Sequence, residues 1–267
     1  MIDLGKYFDR IGYNGPRKPT IEVLNAILAR QPDAIAFEAL DPLVGKVPDV
    51  SPTAVDAKLL DARHGGYCFE QNALLLRALR SLGFDAEGLI ARVWWMRPDD
   101  APPGPWSHMA VQVRLNGRDW LADSDFGSCV PTAALDFGTA APQDTAHERF
   151  RVTPSEEGWM LEAELDGRWA RVYEVRRTPA APDEYRLMNE RAATRSHFAS
   201  DLILARTTPE ERIVVAGNRL TRRGPSGIIE RAVLDANGLE EVIRTRFRLP
   251  FDPRWRAVLE RAATHPR

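Results

Sequence analysis

The chain has 267 residues, of which 44% are hydrophobic and 28% charged, and its formal net charge is -2, with 36 basic and 38 acidic residues. This composition predicts a globular protein with a sizeable core, and the balanced charge argues against a nucleic-acid-binding or membrane-surface role. No apolar run approaches the ~20 residues that cross a bilayer, and the N-terminus lacks the apolar core of a signal peptide, so we expect a cytoplasmic protein.

The first third of the chain has the apolar spacing of helices. Helical patterns occur at residues 2–11, 21–28, 52–60 and 69–82, and Pro32 is expected to open a further turn. Thr20 and Ser51 precede two of these segments as N-cap residues, and Pro52 takes the first helical position, where proline is tolerated. Gly83 follows the last segment as a stop signal.

After Asp85 the pattern changes to short strand-like runs. The candidate strands are residues 89–96, 109–115, 120–123, 150–152, 159–165 and 169–175. Asn116-Gly117 and Asp166-Gly167 are strong hairpin signals. This part is predicted to be an antiparallel β-unit, either a barrel or a sandwich.

Beyond residue 183 the two patterns mix. Helices are predicted at residues 184–193, 239–247 and 253–263, and strands at 202–205 and 213–216. Residues 178–182, rich in proline and alanine, are the candidate linker. We therefore predict an α+β fold with three domains, at residues 1–84, 85–182 and 183–267.

The chain contains two cysteines, Cys68 and Cys129, and five histidines. One possible pair is not the disulfide framework of a secreted protein, and the spacing of these residues does not match a zinc site. We expect no metal site and no tightly bound cofactor. Cys129 is interpreted as structural, because a disulfide with Cys68 is disfavoured in a reducing compartment.

Cys68 stands out by its setting, directly after a loop with Gly65 and Gly66 and at the start of a predicted helix. Unpaired N–H groups and the positive end of the helix dipole favour a thiolate there. The glycines leave the backbone open to close approach by another molecule. Two interpretations stay open: a reactive cysteine, and a small apolar residue buried at a helix start.

His108 is the candidate partner of that cysteine, because it begins a strand of the first predicted hairpin. If Asn116-Gly117 is a two-residue turn, His108 lies opposite Asp125 and diagonal to Asp123, on one face of the sheet. A carboxylate beside an imidazole orients the ring and favours its charged form. An exposed polar strand face is the alternative, and a bulge at Gly117 would separate the histidine from both carboxylates.

Three motifs together resemble those of the arylamine N-acetyltransferase family: Arg63 to Asn72, Ser107-His108-Met109, and Asp123-Ser124-Asp125-Phe126-Gly127. Residues 35–40 are similar to that family's Ile-Pro-Phe-Glu-Asn-Leu, and Asn189 and residues 198–206 also resemble it. The resemblance covers nearly the whole chain. It implies an N-terminal helical bundle, a central antiparallel β-barrel and a C-terminal α/β lid, with a Cys-His-Asp arrangement like that of cysteine proteases.

The resemblance also implies a ping-pong reaction, in which acetyl-CoA acylates a cysteine and an arylamine or hydrazine then takes the acetyl group. On this reading Cys68 is the nucleophile, His108 its acid/base partner and Asp123 the carboxylate that orients the histidine. The acceptor pocket is implied at four positions, Phe37, Phe69, Val93 and Phe126. Ordinary core packing is the alternative for each of these four side chains.

The chain departs from the family's pattern at three positions. His64 stands where the family usually has arginine, so a structural ion pair is expected to be missing. Ser124 replaces a small apolar residue, and Asp125 replaces the glycine before Phe126. If Asp125 points inward, its carboxylate is expected to oppose ionisation of Cys68 and to repel CoA phosphates, or else to favour a basic acceptor.

Two further functions remain open from the sequence. One is a hydrolase or amide synthase that uses the same Cys-His-Asp arrangement, with water or an internal amine as the acceptor. The other is a binding protein that has lost activity through the changes at His64 and Asp125.

Overall fold

The computed structural model describes residues 2–98 and 100–264, and it has an α+β fold. The helices are Leu4–Ile11 (α1), Ile21–Ala34 (α2), Leu40–Leu43 (α3), Pro52–Asp56 (α4), Cys68–Ser81 (α5), Pro182–Arg195 (α6), Ala236–Thr245 (α7) and Arg256–Thr264 (α8). A π-helical turn, Ala57–Asp61, follows α4, and three short 3-10 helices lie at Gly127–Cys129, His197–Ala199 and Pro253–Trp255.

The strands fall into two antiparallel sheets. They are Phe37–Glu38 (β1), Asp85–Val93 (β2), Trp106–Leu115 (β3), Arg118–Ala122 (β4), Leu135–Asp136 (β5), Gln143–Asp144 (β6), Arg149–Pro154 (β7), Gly158–Leu165 (β8), Arg168–Arg176 (β9), Ile203–Thr207 (β10), Arg212–Ala216 (β11), Arg219–Gly224 (β12) and Gly227–Val233 (β13). The larger sheet has the order β5-β4-β3-β2-β9-β8-β7-β6, and the smaller has the order β1-β10-β11-β12-β13.

The predicted caps of the first helices are present. The side chain of Thr20 accepts from the N–H of Val23, and that of Ser51 accepts from the N–H of Ala54. The second helix is longer than predicted: α2 runs past Leu28 to Ala34 with Pro32 inside it, so Pro32 does not open a separate turn. The helix at Ser51 continues as the π-helical turn and ends just before the loop that leads to Cys68.

A buried apolar cluster joins α1, α2 and α5 to the larger sheet. Its members include Leu24, Leu28 and Leu75 from the helices and Val111 and Val113 from β3. Apolar residues on one face of each helix are removed from water by this packing, which is the main favourable contribution to folding. This packing fixes the position of α5, and of any functional residue on it, against β3.

The first hairpin has the predicted register. Asn116 and Gly117 both have positive φ, 54° and 73°, as a two-residue turn of the twisted hairpin type requires. Leu115 pairs with Arg118, and the same register continues to Val111 and Ala122. Strand β4 ends there, so Asp123 and Asp125 lie beyond the ladder in a turn.

The larger sheet curls until its two edges meet. The side chain of Gln143, on edge strand β6, accepts from the backbone N–H of Asp136 on the other edge over 2.7 Å. Its amide Nε2 donates to the Asp136 carbonyl over 3.0 Å. These bonds satisfy backbone groups that an open edge would leave exposed, and the sheet is therefore nearly closed into a barrel.

The smaller sheet joins one strand from the first part of the chain to four strands from its last third. Strand β1 pairs with β10, Phe37 opposite Ala205, and α7 and α8 pack on a second apolar cluster with Leu204 and Val215. Strands β12 and β13 were not predicted. Helix α7 begins at Ala236, before the predicted residue 239, because the Asp235 side chain caps it.

No helix in residues 2–98 and 100–264 combines the length and the apolar character needed to cross a membrane.

Candidate active site

Cys68 is the first residue of α5 and is 4% exposed. Tyr67 is the N-cap residue, and its backbone N–H donates to Oε2 of Glu70 over 3.2 Å, which completes one half of a capping box. The helix start predicted from the sequence is therefore present, with its first turn tied to a buried acidic side chain.

Gly65 and Gly66 serve close packing within the chain. A Cβ added at Gly65 would lie 2.4 Å from the carbonyl oxygen of Ala36, and one at Gly66 would lie 2.9 Å from Oε2 of Glu70. The N–H of Glu38 donates to the Gly66 carbonyl over 3.1 Å, which binds the loop to β1. The expectation that these glycines leave space for another molecule is wrong, because the protein itself fills that space.

His108 and Asp123 are in direct contact. Nε2 of His108 lies 2.7 Å from Oδ2 of Asp123, and both side chains are buried. Burial alone would raise the pKa of Asp123, but the charge and hydrogen bond of His108 outweigh it, and the pKa is lowered. A carboxylate with a lowered pKa accepts hydrogen bonds, so Nε2 of His108 is the donor of this pair and Nδ1 is the ring nitrogen that remains for another partner.

Strand β3 has a bulge at Ser107, the residue before His108, and the Cys68 thiol lies against this bulge. Ala91 pairs with His108 and Arg92 with Trp106, so Ser107 is the extra residue on β3. Sγ of Cys68 donates to the Ser107 carbonyl over 3.9 Å. Among residues 2–98 and 100–264, no hydrogen bond joins that sulfur to the His108 ring, so the thiol lies beside the histidine's backbone.

The surroundings of Cys68 favour the neutral thiol. Burial, followed by the charge of Asp125, raises the pKa of Cys68 well above its usual value, although the backbone N–H groups of Met109 and Phe69 lower it. Burial and the charge of Asp125 thus oppose the thiolate that the helix start is expected to favour. A base is needed to remove the proton when the sulfur reacts.

Two consecutive amides on α5 hold the turn formed by Asp123, Ser124 and Asp125, called here the Asp-Ser-Asp turn. Nδ2 of Asn72 donates to Oδ1 of Asp123 over 2.8 Å, and the N–H of Ser124 donates to Oδ1 of Asn72 over 3.1 Å. Nε2 of Gln71 donates to Oδ1 of Asp125 over 2.7 Å. This anchoring explains why Asp123, and not Asp125, contacts His108.

Lys58 forms a buried group of ion pairs next to the loop that contains His64. Its ammonium lies 3.2 Å from Glu38, 3.0 Å from Asp41 and 2.9 Å from Glu70. Burial alone would lower the pKa of Lys58, but these carboxylates raise it well above its usual value. Lys58 and these three acids, called here the Lys58 cluster, brace the helix start through Glu70.

His64 itself lies at the edge of the Lys58 cluster. Its ring meets the Trp255 ring edge-on, with centroids 5.7 Å apart, and burial lowers its pKa. His64, at the position of the family's arginine, therefore contacts the C-terminal part of the fold.

Of the four predicted pocket residues, three lie beside Cys68 or His108 and one does not. Phe37 and Phe69 share an apolar cluster with Cys68, and Phe126 meets the His108 ring at 5.1 Å between centroids. Phe69 is only 1% exposed, which agrees with a core role. Val93 ends β2 opposite Tyr173 and belongs to neither of the clusters that contain Cys68 and Phe126.

Other residues at the site were missed. Tyr173 stacks beside His108 at 4.9 Å, and Phe198 lies 5.8 Å from Phe37 and 6.0 Å from Tyr67 between ring centroids. The Tyr67 hydroxyl donates to Oδ1 of Asn189 on α6. Only the resemblance at residue 189 and at 198–206 pointed to this side of the site, since a single aromatic residue has no spacing signal.

Both cysteines are buried and free, so Cys68 and Cys129 do not form a disulfide. Within the described part of the chain, no group of three or more His, Cys, Asp or Glu side chains is arranged to hold a metal ion.

The chain is similar to known proteins over most of its length. A model of the N-acetyltransferase family matches residues 20–256. An arylamine N-acetyltransferase of Mycolicibacterium smegmatis is 38% identical over 224 residues, 82% of this chain and 82% of that protein. One of Escherichia coli K12 is 30% identical over 253 residues, 93% of this chain and 89% of that protein.

Solved structures are similar to this chain as well. The structure of Mycobacterium marinum arylamine N-acetyltransferase matches with a TM-score of 0.93 and 33% identity, over 98% of this chain and 100% of that one. The same enzyme in complex with CoA matches with a TM-score of 0.92 and 34% identity, over 98% of each chain. From its sequence relatives and its fold, the chain belongs to the arylamine N-acetyltransferase family and is an acyltransferase.

Proposed function

We propose that this enzyme transfers an acetyl group from acetyl-CoA to the nitrogen of an arylamine or hydrazine through an acetyl-cysteine on Cys68. The observation that carries the proposal is the contact of His108 with Asp123 beside a buried cysteine at a helix start. The CoA complex of the Mycobacterium marinum relative supports acetyl-CoA as the donor.

In the first half of the reaction, His108 acts as the base. Nδ1 takes the proton of the Cys68 thiol as Sγ attacks the thioester carbonyl, and Asp123 stabilises the imidazolium that forms. This requires the sulfur to turn from the Ser107 carbonyl toward the ring. When the tetrahedral intermediate collapses, the carbon–sulfur bond to CoA breaks, His108 returns the proton to the leaving thiolate, and free CoA departs.

In the second half, the amine replaces CoA. Its nitrogen attacks the acetyl carbonyl on Cys68 while His108 removes one of its protons. The bond to Sγ then breaks and the Cys68 sulfur takes that proton back, so the enzyme is restored and an amide is released. The backbone N–H groups of Met109 and Phe69, which lower the pKa of Cys68, are the proposed donors that stabilise negative charge at this centre.

The acceptor site is proposed on the aromatic side of Cys68. Phe37, Phe69 and Phe126 are the lining candidates that lie with Cys68 or His108, and Val93 is proposed at the rim. Flat aromatic walls suit an aromatic amine. The domains at 1–84, 85–182 and 183–267, with the last as a lid, and a cytoplasmic location belong to the same proposal.

The experiment is an intact-mass measurement after mixing the enzyme with acetyl-CoA in the absence of an amine. We expect one acetyl adduct at Cys68, which disappears when an arylamine is added. Cys68→Ala should abolish the adduct, whereas Cys129→Ala, the same change at the other buried cysteine, should retain it.

Variants of the other two residues separate their roles. His108→Ala and Asp123→Asn should slow acylation by at least about 10³-fold. An adduct that forms at the normal rate in His108→Ala would overturn the proposal. Steady ester hydrolysis without transfer to an amine would identify the enzyme as a hydrolase instead.

A further inference from the structure

Asp125 is a buried acid that the proposed reaction does not use. It is 3% exposed, and its backbone N–H donates to Oδ1 of Asp123 over 2.9 Å. Its φ is not among the positive values of the described non-glycine residues, so the aspartate fits the turn without the backbone strain that would favour glycine. The side chain points into the protein.

The two carboxyl oxygens of Asp125 have unequal surroundings. Oδ1 accepts from Nε2 of Gln71 over 2.7 Å. Oδ2 is fully buried and has no hydrogen-bond partner among the described residues. An ionised carboxylate in this position would have one donor for its two oxygens, which is a costly arrangement away from water.

The charges that act on Asp125 are acidic. They belong to Asp123 on the same turn, Glu70 on α5 and Glu38 on β1. The charge of Asp125 in turn raises the pKa of the Cys68 thiol. The nearby basic side chains contact other acids: Lys58 contacts Glu38, Asp41 and Glu70, and His108 contacts Asp123. Burial first, and then the charges of Asp123, Glu70 and Glu38, raise the pKa of Asp125 well above its usual value.

We propose that Asp125 is a positioning residue that keeps its proton at neutral pH and thereby allows Cys68 to ionise during the reaction. When the thiol proton passes to His108, the proton on Asp125 stays in place, and the site gains one negative charge on sulfur. If Asp125 loses its proton to solvent at higher pH, its carboxylate repels the thiolate and Cys68 becomes less reactive. The inference rests on Cys68 as the proposed nucleophile.

Asp125→Asn tests this proposal, because asparagine keeps an oxygen for Gln71 and cannot ionise. The readout is the rate of Cys68 alkylation by iodoacetamide, followed by intact mass from about pH 6 to pH 9.5. We expect the variant and the unchanged enzyme to agree within about twofold near pH 6. Near pH 9 the variant should react about tenfold faster, which corresponds to one pKa unit of Cys68.

Asp166→Asn is the matched control, since Asp166 lies in an exposed hairpin turn and its side chain is 88% exposed. Its profile should coincide with that of the unchanged enzyme. A constant offset of Asp125→Asn at every pH would indicate a structural effect, and an unchanged profile would show no coupling. Either result overturns the proposal.

Infrared spectroscopy of the unchanged enzyme with ¹³C-labelled aspartate provides a second test, which does not depend on the folding of a variant. A protonated aspartate band is expected at pH 7, and its absence would overturn the proposal. Neither measurement uses acetyl-CoA. If Cys68 is not acetylated by acetyl-CoA, the proposed function fails, while alkylation and infrared spectra still test Asp125.

Discussion

Asn72 donates to Oδ1 of Asp123 over 2.8 Å, while His108 contacts the other oxygen of the same carboxylate. The same amide nitrogen donates to the Met109 carbonyl over 2.7 Å. One side chain on α5 therefore fixes both the strand next to His108 and the Asp-Ser-Asp turn, so the helix of Cys68 and its two proposed partners form one hydrogen-bonded unit.

We expect Asn72→Ala to slow acylation of Cys68 by about 10- to 100-fold, because small displacements of reacting groups are costly. It should also lower the free energy of unfolding by about 2 kcal/mol, since it leaves buried polar groups unpaired. Single-turnover acylation and urea unfolding measure the two effects. Asn25→Ala, which removes a side-chain bond to the N–H of Ala134, should affect stability alone.

Lys58→Met is expected to lower the free energy of unfolding by about 3 kcal/mol or more, because it leaves the buried carboxylates of Glu38 and Glu70 without their cation, while Asp41 keeps its contact with Lys46. Urea unfolding at pH 7 measures the loss. Lys46→Met is the matched control: Lys46 contacts Asp41 with a side chain that is 54% exposed, so its loss should cost at most about 1 kcal/mol. Equal effects of the two changes would refute the role given to Lys58.

The sequence predicted the elements whose signals are local. Asn116-Gly117 determines the turn and hence the register from Leu115 to Ala122, and the N-caps at Thr20 and Ser51 mark real helix starts. These features depend on neighbours in the chain, so they can be read from it. The pairing of His108 with Asp125 that this register predicts is wrong, because the ladder ends at Ala122 and His108 contacts Asp123 instead.

The parts that could not be predicted depend on distant neighbours. The bulge at Ser107 lies in the pairing with β2, and beyond the end of β4 at Ala122 the Asp-Ser-Asp turn is held by Asn72 and Gln71 of α5. Strands β12 and β13 were missed because charged residues interrupt their apolar pattern and sheet pairing alone defines them. Lys58 has no sequence signal that links it to Glu38 and Glu70.

Gly65→Ala should be more disruptive than Gly66→Ala. The added methyl group at residue 65 would meet the Ala36 carbonyl oxygen, a backbone atom at the junction with β1, at 2.4 Å, whereas at residue 66 it would meet a side-chain atom, Oε2 of Glu70, at the longer distance of 2.9 Å. We expect a loss of about 3 kcal/mol for Gly65→Ala and less than half of that for Gly66→Ala. Urea unfolding of both variants checks the order, and the reverse order would contradict this packing.

Glu70 should make stability depend on pH. Burial, only partly offset by Lys58, raises its pKa to about 7. An acid whose folded pKa is raised contributes stability that is complete below its unfolded pKa of about 4.3 and is lost as pH rises through the folded value. The enzyme should therefore lose stability between about pH 4.3 and 7, by about 1.4 kcal/mol for each unit of the shift.

Glu70→Gln removes this titration, so its stability should change less across the same pH range, although its absolute stability falls because the contact with Lys58 is weakened. Urea unfolding of both proteins at about pH 5 and pH 7.5 measures the difference between the two slopes. Glu162→Gln is the control, because Glu162 pairs with Arg151 on the barrel and that variant should keep the slope of the unchanged enzyme. Parallel slopes for the enzyme and Glu70→Gln would mean that Glu70 is ionised throughout, held by the cation of Lys58.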